Sequence, residues 1–529
     1  MGMKATDLQD AIGMVDPVLI ARADTPAPIQ KEQTAPPLFK RRPFRWTAAV
    51  AAVLVLAVCL GALFGHHFIQ PPILDDPTAA GDVSKQEGDS INKGDGTTTT
   101  TTKKPGILDN LFPGLTAKAE TLAEAKYPEM APYPNERELG FEKKFDAWRA
   151  DKNKQATYRG AGEGLTAFFR ESTATFLSGV GNDNCAYSPL NVYMALAMLA
   201  EISDGTSRQQ VLDLLGADSI TALREQAHAV WNANYSNDGA EISVLGSSLW
   251  LNEGVDFNKD TLRTLTDSYY ASSYRGEMGS DGFTKAMRNW LNEQTGGLLK
   301  EQVDGITTDP NTVMTLLTTM YFRAKWTNYF SVDKTAADTF HGAAGDVTCS
   351  FMNRTESWGT YYWGDRFSAS SLALEGQGAM WFVLPDEGVS VEDLLADEQA
   401  MDFLLTGGEW DNQKDLKVNF SVPRFDIQSQ LDLKEGLQSL GIADCFDRSN
   451  ADFNPLTTTT EVWLDKVQHG VRVAIDEEGV TAAAYTEMTL CGSAMPPEDE
   501  VDFVLNRPFL FVVTGADQLP LFIGVVNQP

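Results

Sequence analysis

The sequence predicts an α+β fold, and three observations carry that prediction. Segments with helical periodicity crowd the first part of the body, from about Leu165 to Gly297. Long apolar, β-rich runs dominate the part after Val313. Helices gathered ahead of strands, without regular alternation, argue against a wound α/β sheet. With 43% hydrophobic and 10% aromatic residues among 529, the chain can also bury a large core.

Composition excludes several function classes. A net charge of −31 argues against nucleic acid or an anionic membrane surface as partner of the globular part. The five cysteines (Cys59, Cys185, Cys349, Cys445, Cys491) are scattered with no CxxC spacing, so neither a zinc site nor a redox motif is expected. No cofactor is implied. The five histidines (His66, His67, His228, His341, His469) stand in no HExxH or nucleophile-elbow context, so the chain is not expected to be an enzyme.

In chain order, residues 1–45 form a tail with one short helical pattern (Leu8 to Ala21) and a Pro-rich piece, and are expected to be largely disordered. From Thr47 to Gly65 no charged residue occurs, a length that crosses a bilayer as a helix. Lys40, Arg41, Arg42 and Arg45 precede it, with Trp46 at interface depth, so the tail is expected in the cytoplasm and everything after Phe68 outside the cell. A cleaved signal peptide would begin with a short basic stretch, whereas some 45 residues stand before this run. A lipoprotein box needs a small residue before its cysteine, and Leu56-Ala57-Val58-Cys59 has valine there. The reading is an uncleaved single-pass anchor over 46–68.

Residues 69–106 are rich in Gly, Asp, Ser and Thr, with six threonines from Thr97 to Thr102. Such a tract buries too little apolar surface to fold. As a flexible tether it would span about 30–36 Å. Between 107 and 160 apolar residues return at helical spacing, as in AETLAEAKYPEM and FEKKFDAWRADK, which suggests an ordered extension. The GAGEG at Gly160 lacks the strand and lysine of a phosphate loop and reads as a linker.

The body, 161–529, opens with an amphipathic helix in LTAFFRESTATFLSG. Ser188-Pro189 starts a second, with serine as cap and proline just inside. EISVLGSSLWLNE (241–253) reads as a strand, and KAMRNWLNEQTGG as a helix ended by Gly296-Gly297. VMTLLTTMYFRAKW (313–326) has the unbroken apolar character of a central strand. SSLALEGQGAMWFVLPDE reads as a hairpin, and KVNFSVPRFDI, WLDKVQHGVRVAID, VDFVLNRPFLFVVTG and LPLFIGVVNQP as four further strands.

One stretch between those last strands is out of character. Residues 477–497, EEGVTAAAYTEMTLCGSAMPP, run about four times the usual loop length of roughly four to six residues. No Asn, Asp or Pro interrupts Val480 to Met495. Alone it would pass for a disordered loop, yet it has the makings of an exposed strand.

The motifs resemble those of the serpin family from about Leu165 to Pro529. FVLNRPFLFVV is similar to the family's C-terminal signature and LPLFIGVV to its last strand. MYFRAKWTNYF, with Trp326, TFHGAAGDVTCSFMNRTE, WFVLPDE and VPRFDI follow in family order. The resemblance, to a bacterial-type member carried on a membrane anchor, implies a large, mainly antiparallel central sheet, further sheets, and about eight to nine helices. It implies a monomer, and makes 477–497 the reactive-centre loop. A serine protease would cleave that loop, become acylated, and be trapped when the freed part inserts as a strand.

The residues allow a separate check. An inserted strand alternates faces. Val480, Ala482, Ala484, Thr486 and Met488 form one side, and all tolerate a core. Thr481, Ala483, Tyr485, Glu487 and Thr489 form the other, which holds the one charge. The insertion segment is thus expected to comprise Glu477, Glu478, Gly479, Val480, Thr481, Ala482, Ala483 and Ala484, with Gly479 relieving a backbone bend. Family spacing implies scission at Ser493–Ala494, to within one or two residues. The small residues there suggest an elastase-like or subtilisin-like target. Among supporting positions, the resemblance implies a Glu477–Arg424 ion pair near Trp326. Where the sheet opens it implies a polar group in which Ser188 and His469 match the family, while Asn191 and Thr318 hold the places of a serine and an asparagine. A non-inhibitory binding protein of the same fold, or an inhibitor of cysteine proteases, are the alternatives.

Overall fold

The computed structural model describes residues 119–134, 139–297, 306–406, 410–464, 466–480 and 497–529. The tail, the apolar run, the tether and the start of the extension lie outside these, as do Thr481, Ala482, Ala483, Ala484, Ser493 and Ala494. Among the described residues no helix is long and apolar enough to cross a membrane.

Ten α-helices occur among them: α1 (Phe141–Ala156), α2 (Thr166–Leu177), α3 (Pro189–Ile202), α4 (Gly205–Leu215), α5 (Ile220–Asn234), α6 (Lys259–Tyr269), α7 (Asp281–Gln294), α8 (Val391–Leu395), α9 (Glu398–Leu405) and α10 (Lys434–Ser439). Their starts follow from local chemistry. Ser188, Ser219, Asn258, Ser280, Ser390 and Asp397 each accept a backbone N–H of the first turn through a side-chain oxygen. Pro189 sits where its missing N–H costs nothing.

Two sheets carry the strands. The first is ordered β1 (Glu120–Ala123), β5 (Ala271–Gly276), β4 (Glu241–Asn252), β6 (Met314–Lys325), β14 (Gly479–Val480), β13 (Gln468–Ile475), β12 (Phe425–Asp432), with β3 (Ser236–Asn237) on β4. All its pairings are antiparallel except β4 with β5. The second runs β15 (Glu500–Val504), β11 (Gln413–Pro423), β8 (Gly345–Trp363), β9 (Phe367–Ala373), β10 (Ala379–Pro385), β16 (Phe509–Thr514), β17 (Pro520–Val526), β2 (Cys185–Tyr187), with β7 (Ala336–Gly342) on β8.

Burial explains why β6 looked central. Its Met314, Met320, Phe322 and Ala324 face the main core, while Leu317 joins a second core with Trp250 and the α7 residues Phe283, Met287 and Trp290. Both faces are covered, so polar alternation is lost. The same holds for β16 and β17, buried along their whole length.

Three expectations are corrected. AETLAEAKYPEM is not helical: Glu120–Ala123 is a strand, pairing Glu120 with Arg275 and Thr121 with Tyr274 along the free edge of β5. An open edge offers a full ladder, which outweighs a weak local preference. KVNFSVPRFDI is not one strand, because it leaves the second sheet at Pro423 and enters the first at Phe425. VDFVLNRPFLFVVTG likewise breaks into β15 and β16 around Pro508, which has no N–H for a ladder. The GAGEG is a turn as expected, with Gly160 and Gly164 at φ 83° and 91°.

The caps offer a simple check. Ser280→Ala removes the acceptor for the Phe283 N–H at 3.2 Å. A loss of about 1 kcal/mol is expected, read as a lower urea midpoint with unchanged slope.

Candidate functional site

The site is the place where the chain leaves β13 and turns back into the sheet. Asp476 makes the turn: its Oδ1 accepts the N–H groups of Glu478 (2.9 Å) and Gly479 (3.2 Å), and its own N–H donates to the Gly479 carbonyl at 3.0 Å. Gly479 and Val480 then lie between β13 and β6, with Val480 opposite Ile475 on one side and Ala324 on the other. Val480 is 1% exposed and belongs to the main core, the inward side expected for it.

Gly479 is required for a different reason from the expected bend. It is not among the residues of positive φ. Instead a Cβ there would lie 2.3 Å from the Ala324 carbonyl oxygen and 2.7 Å from the Lys325 Cα. Only glycine lets the incoming backbone sit that close to β6.

The turn is gripped from outside by residues of two connections, the one after β6 and the one between β11 and β12. Trp326, just past β6, donates its N–H to the Glu478 carbonyl at 3.0 Å and its indole N–H to the Asp476 carbonyl at 2.8 Å. Phe330 donates its N–H to the Glu477 carbonyl at 2.9 Å, and its ring meets Trp326 edge-on at 6.0 Å. The buried Glu477 carboxylate accepts from the Thr335 hydroxyl at 2.6 Å and from the Arg424 guanidinium, whose Nε lies at 3.0 Å. Burial pushes that carboxyl's pKa up, but the hydrogen bonds from Arg424 and Thr335 and the Arg424 charge outweigh it, and the net shift is down. The expected Glu477–Arg424 pair and Trp326 therefore come together. Glu478 is exposed and serves through its backbone. Phe330 and Thr335 were missed, since neither stands in a motif that marks it as a hydrogen-bond partner.

Near the other end of β13, His469 is 2% exposed and its Nε2 accepts the Ser188 N–H at 3.0 Å. The proton of the neutral ring then sits on Nδ1. Burial pushes the His469 pKa down to about 4. Ser188 in turn caps α3 by accepting the Asn191 N–H at 3.2 Å. The rest of the expected polar group is not joined. Both amide atoms of Asn191 are buried without a partner, and Thr318 is half-buried on β6.

β6 and β13 are bridged by the two residues of β14, and no ladder pairs them directly among the described residues. The described chain resumes at Pro497 and is anchored by β15 lying parallel to β11. The chain on either side of this segment is thus anchored in a sheet, by Gly479 and Val480 in the first and by Glu500–Val504 in the second.

The family model described as Serpin (serine protease inhibitor) matches residues 166–529. The chain belongs to the serpin family. Among its relatives, Serpin-ZX of Arabidopsis thaliana is 29% identical over 375 residues, covering 66% of this chain and 93% of that protein. The plasma serine protease inhibitor of Mus musculus is 28% identical over 358 residues, 65% of this chain and 85% of the relative. The native structure of tengpin, a thermophilic serpin, superposes with a TM-score of 0.63 at 23% identity, covering 78% of this chain and all of tengpin, a likeness of fold.

The buried histidine sets a pH dependence for this serpin. Because its folded-state pKa is depressed, the stability it contributes is present above its ordinary value near 6.5 and is lost as pH falls toward about 4. Thermal midpoints measured between pH 7 and 4 should drop in the wild type and fall less in His469→Asn.

Proposed function

We propose that this serpin is a suicide-substrate inhibitor of serine proteases. The observation that supports this best is the hinge: Gly479 and Val480 already occupy a strand position between β6 and β13. In this reading the protease serine attacks the carbonyl carbon of Ser493, the Ser493–Ala494 amide breaks, and the new amine leaves with the strand anchored at β15. The acylated segment, headed by Val480 and followed by Thr481, Ala482, Ala483 and Ala484, zips into the gap and carries the protease with it. Some ten new ladder bonds at about 0.5–1.5 kcal/mol each would release roughly 5–15 kcal/mol. That matches the stability of a whole domain, enough to distort a second protein before it deacylates. The small residues at the bond favour an elastase-like or subtilisin-like target, met by a single copy of the inhibitor.

Incubation with elastase or a subtilisin is expected to give an SDS-stable complex, with mass spectrometry placing the cut between Gly492 and Met495. Cleavage with neither complex nor gain in thermal stability would refute trapping. Val480→Arg puts a charge where 1% of the side chain is exposed, and should convert the inhibitor into a substrate. Undiminished trapping by that variant would remove the insertion register.

We also place this serpin outside the cell on a single span over 46–68, a reading that rests on the uncharged run and the cations before it. Protease treatment of intact cells should then release the body while the tail stays protected. A body that survives until the cells are lysed would overturn the orientation.

A further inference from the structure

A cavity of about 390 Å³ lies between α2, α4 and the turn that follows α10, in a part of the fold that the hinge does not use. Its floor is apolar: Phe168 and Leu215 are buried, and the half-buried Leu440 closes one side. Its rim carries two exposed carboxylates, Glu171 on α2 and Asp213 on α4. The wall is fixed in place, because the Gln210 side-chain oxygen on α4 accepts the N–H groups of Ala443 and Asp444 at 2.9 Å each. Two of the bordering turns carry glycine, Gly216 and Gly441, and a Cβ on either would meet no atom within 4 Å. The mouth is therefore open at both turns.

The three helices around the cavity leave that rim negative. Each contains one cationic side chain, and each of these is engaged elsewhere. Arg170 pairs with Asp402, Arg208 lies 3.1 Å from Asp204, and Lys434 sits over the Phe446 ring at 5.7 Å. Among the described residues neither Glu171 nor Asp213 has an ion-pair partner, and Asp213 accepts the neutral Gln209 amide at 2.7 Å. The last turn of α4 holds no basic residue, so the carbonyl end of that helix adds its negative pole beside Asp213. The net charge of −31 draws cations toward the molecule from further away.

An apolar floor under a negative rim selects a ligand divided in the same way. A bare cation gains nothing from Phe168 and Leu215, and an uncharged apolar molecule leaves both carboxylates without a counter-charge. We propose that this cavity binds a small primary ammonium ion carrying a short aliphatic chain. The chain lies on Phe168, Leu215 and Leu440, and the ammonium, with three N–H donors, is shared between Glu171, Asp213 and the carbonyl end of α4. The volume suits a small molecule of this kind, since such sites begin at about 300 Å³. The site is independent of the inhibitory reading, and its test needs no protease.

The full-length protein is titrated calorimetrically with hexylammonium, methylammonium and hexanoate at constant ionic strength. Hexylammonium should bind saturably, one ion per chain, and raise the thermal midpoint. Methylammonium, which lacks the tail, should bind at least about tenfold more weakly, and hexanoate, which has the wrong charge, should show no saturable binding. Glu171→Gln combined with Asp213→Asn should weaken hexylammonium binding at least about tenfold. Both positions are exposed, so the midpoint without ligand should stay where it is in the wild type. Ala167→Trp sets a large ring at an exposed lining position while both carboxylates remain, and should abolish binding. Absence of saturable hexylammonium binding, equal affinity for methylammonium or hexanoate, or undiminished binding by either variant would overturn the proposal. Should Ala167→Trp not fold, the carboxylate variant decides alone.

Discussion

The structure turns on a backbone held where a side chain cannot fit. Gly479 lies against β6 so closely that even a methyl group would overlap the Ala324 carbonyl. That contact sets β14 beside β6. The residues around it hold the turn in place. Trp326 and Phe330 grip the backbone of Asp476, Glu477 and Glu478, while Thr335 and Arg424 neutralise the one carboxylate drawn inside.

A strand edge inside a protein is normally covered, because its N–H and C=O groups need partners. Here the edge is bridged by two residues, and a buried asparagine near the start of α3 lacks partners for its amide. A buried amide without partners carries a desolvation cost that no hydrogen bond offsets. His469, kept neutral by burial, is compatible with this: an imidazolium at that depth would add a charge the surroundings cannot solvate.

The extension gives the first sheet a second boundary. β1 covers the edge at β5, and α1 ties the start of β4 through an ammonium shared by two carboxylates. The hinge and this clamp meet on opposite sides of Ala324. β14 and β4 therefore pair with the same short piece of β6 from its two sides.

Much of this was legible in the sequence, for definite reasons. Helix starts announce themselves through caps such as Ser188-Pro189, and buried strands such as 313–326 through unbroken apolar runs. Period-two alternation placed Val480 inward, because side chains in a strand must alternate. Only tertiary structure decided the rest. Within AETLAEAK, Glu120–Ala123 became a strand because β5, about 150 residues away, offered an edge. Thr335 and Glu477, or Lys152 and Glu241, are 142 and 89 residues apart, and no local pattern records that they meet. Asn191 on α3 and Thr318 on β6 do not complete the expected network, since whether polar groups pair depends on how a helix and a strand far apart in sequence are packed. Local chemistry determined which segments were strands and helices; contact over long sequence separation decided which strands became neighbours, and what holds the turn between them.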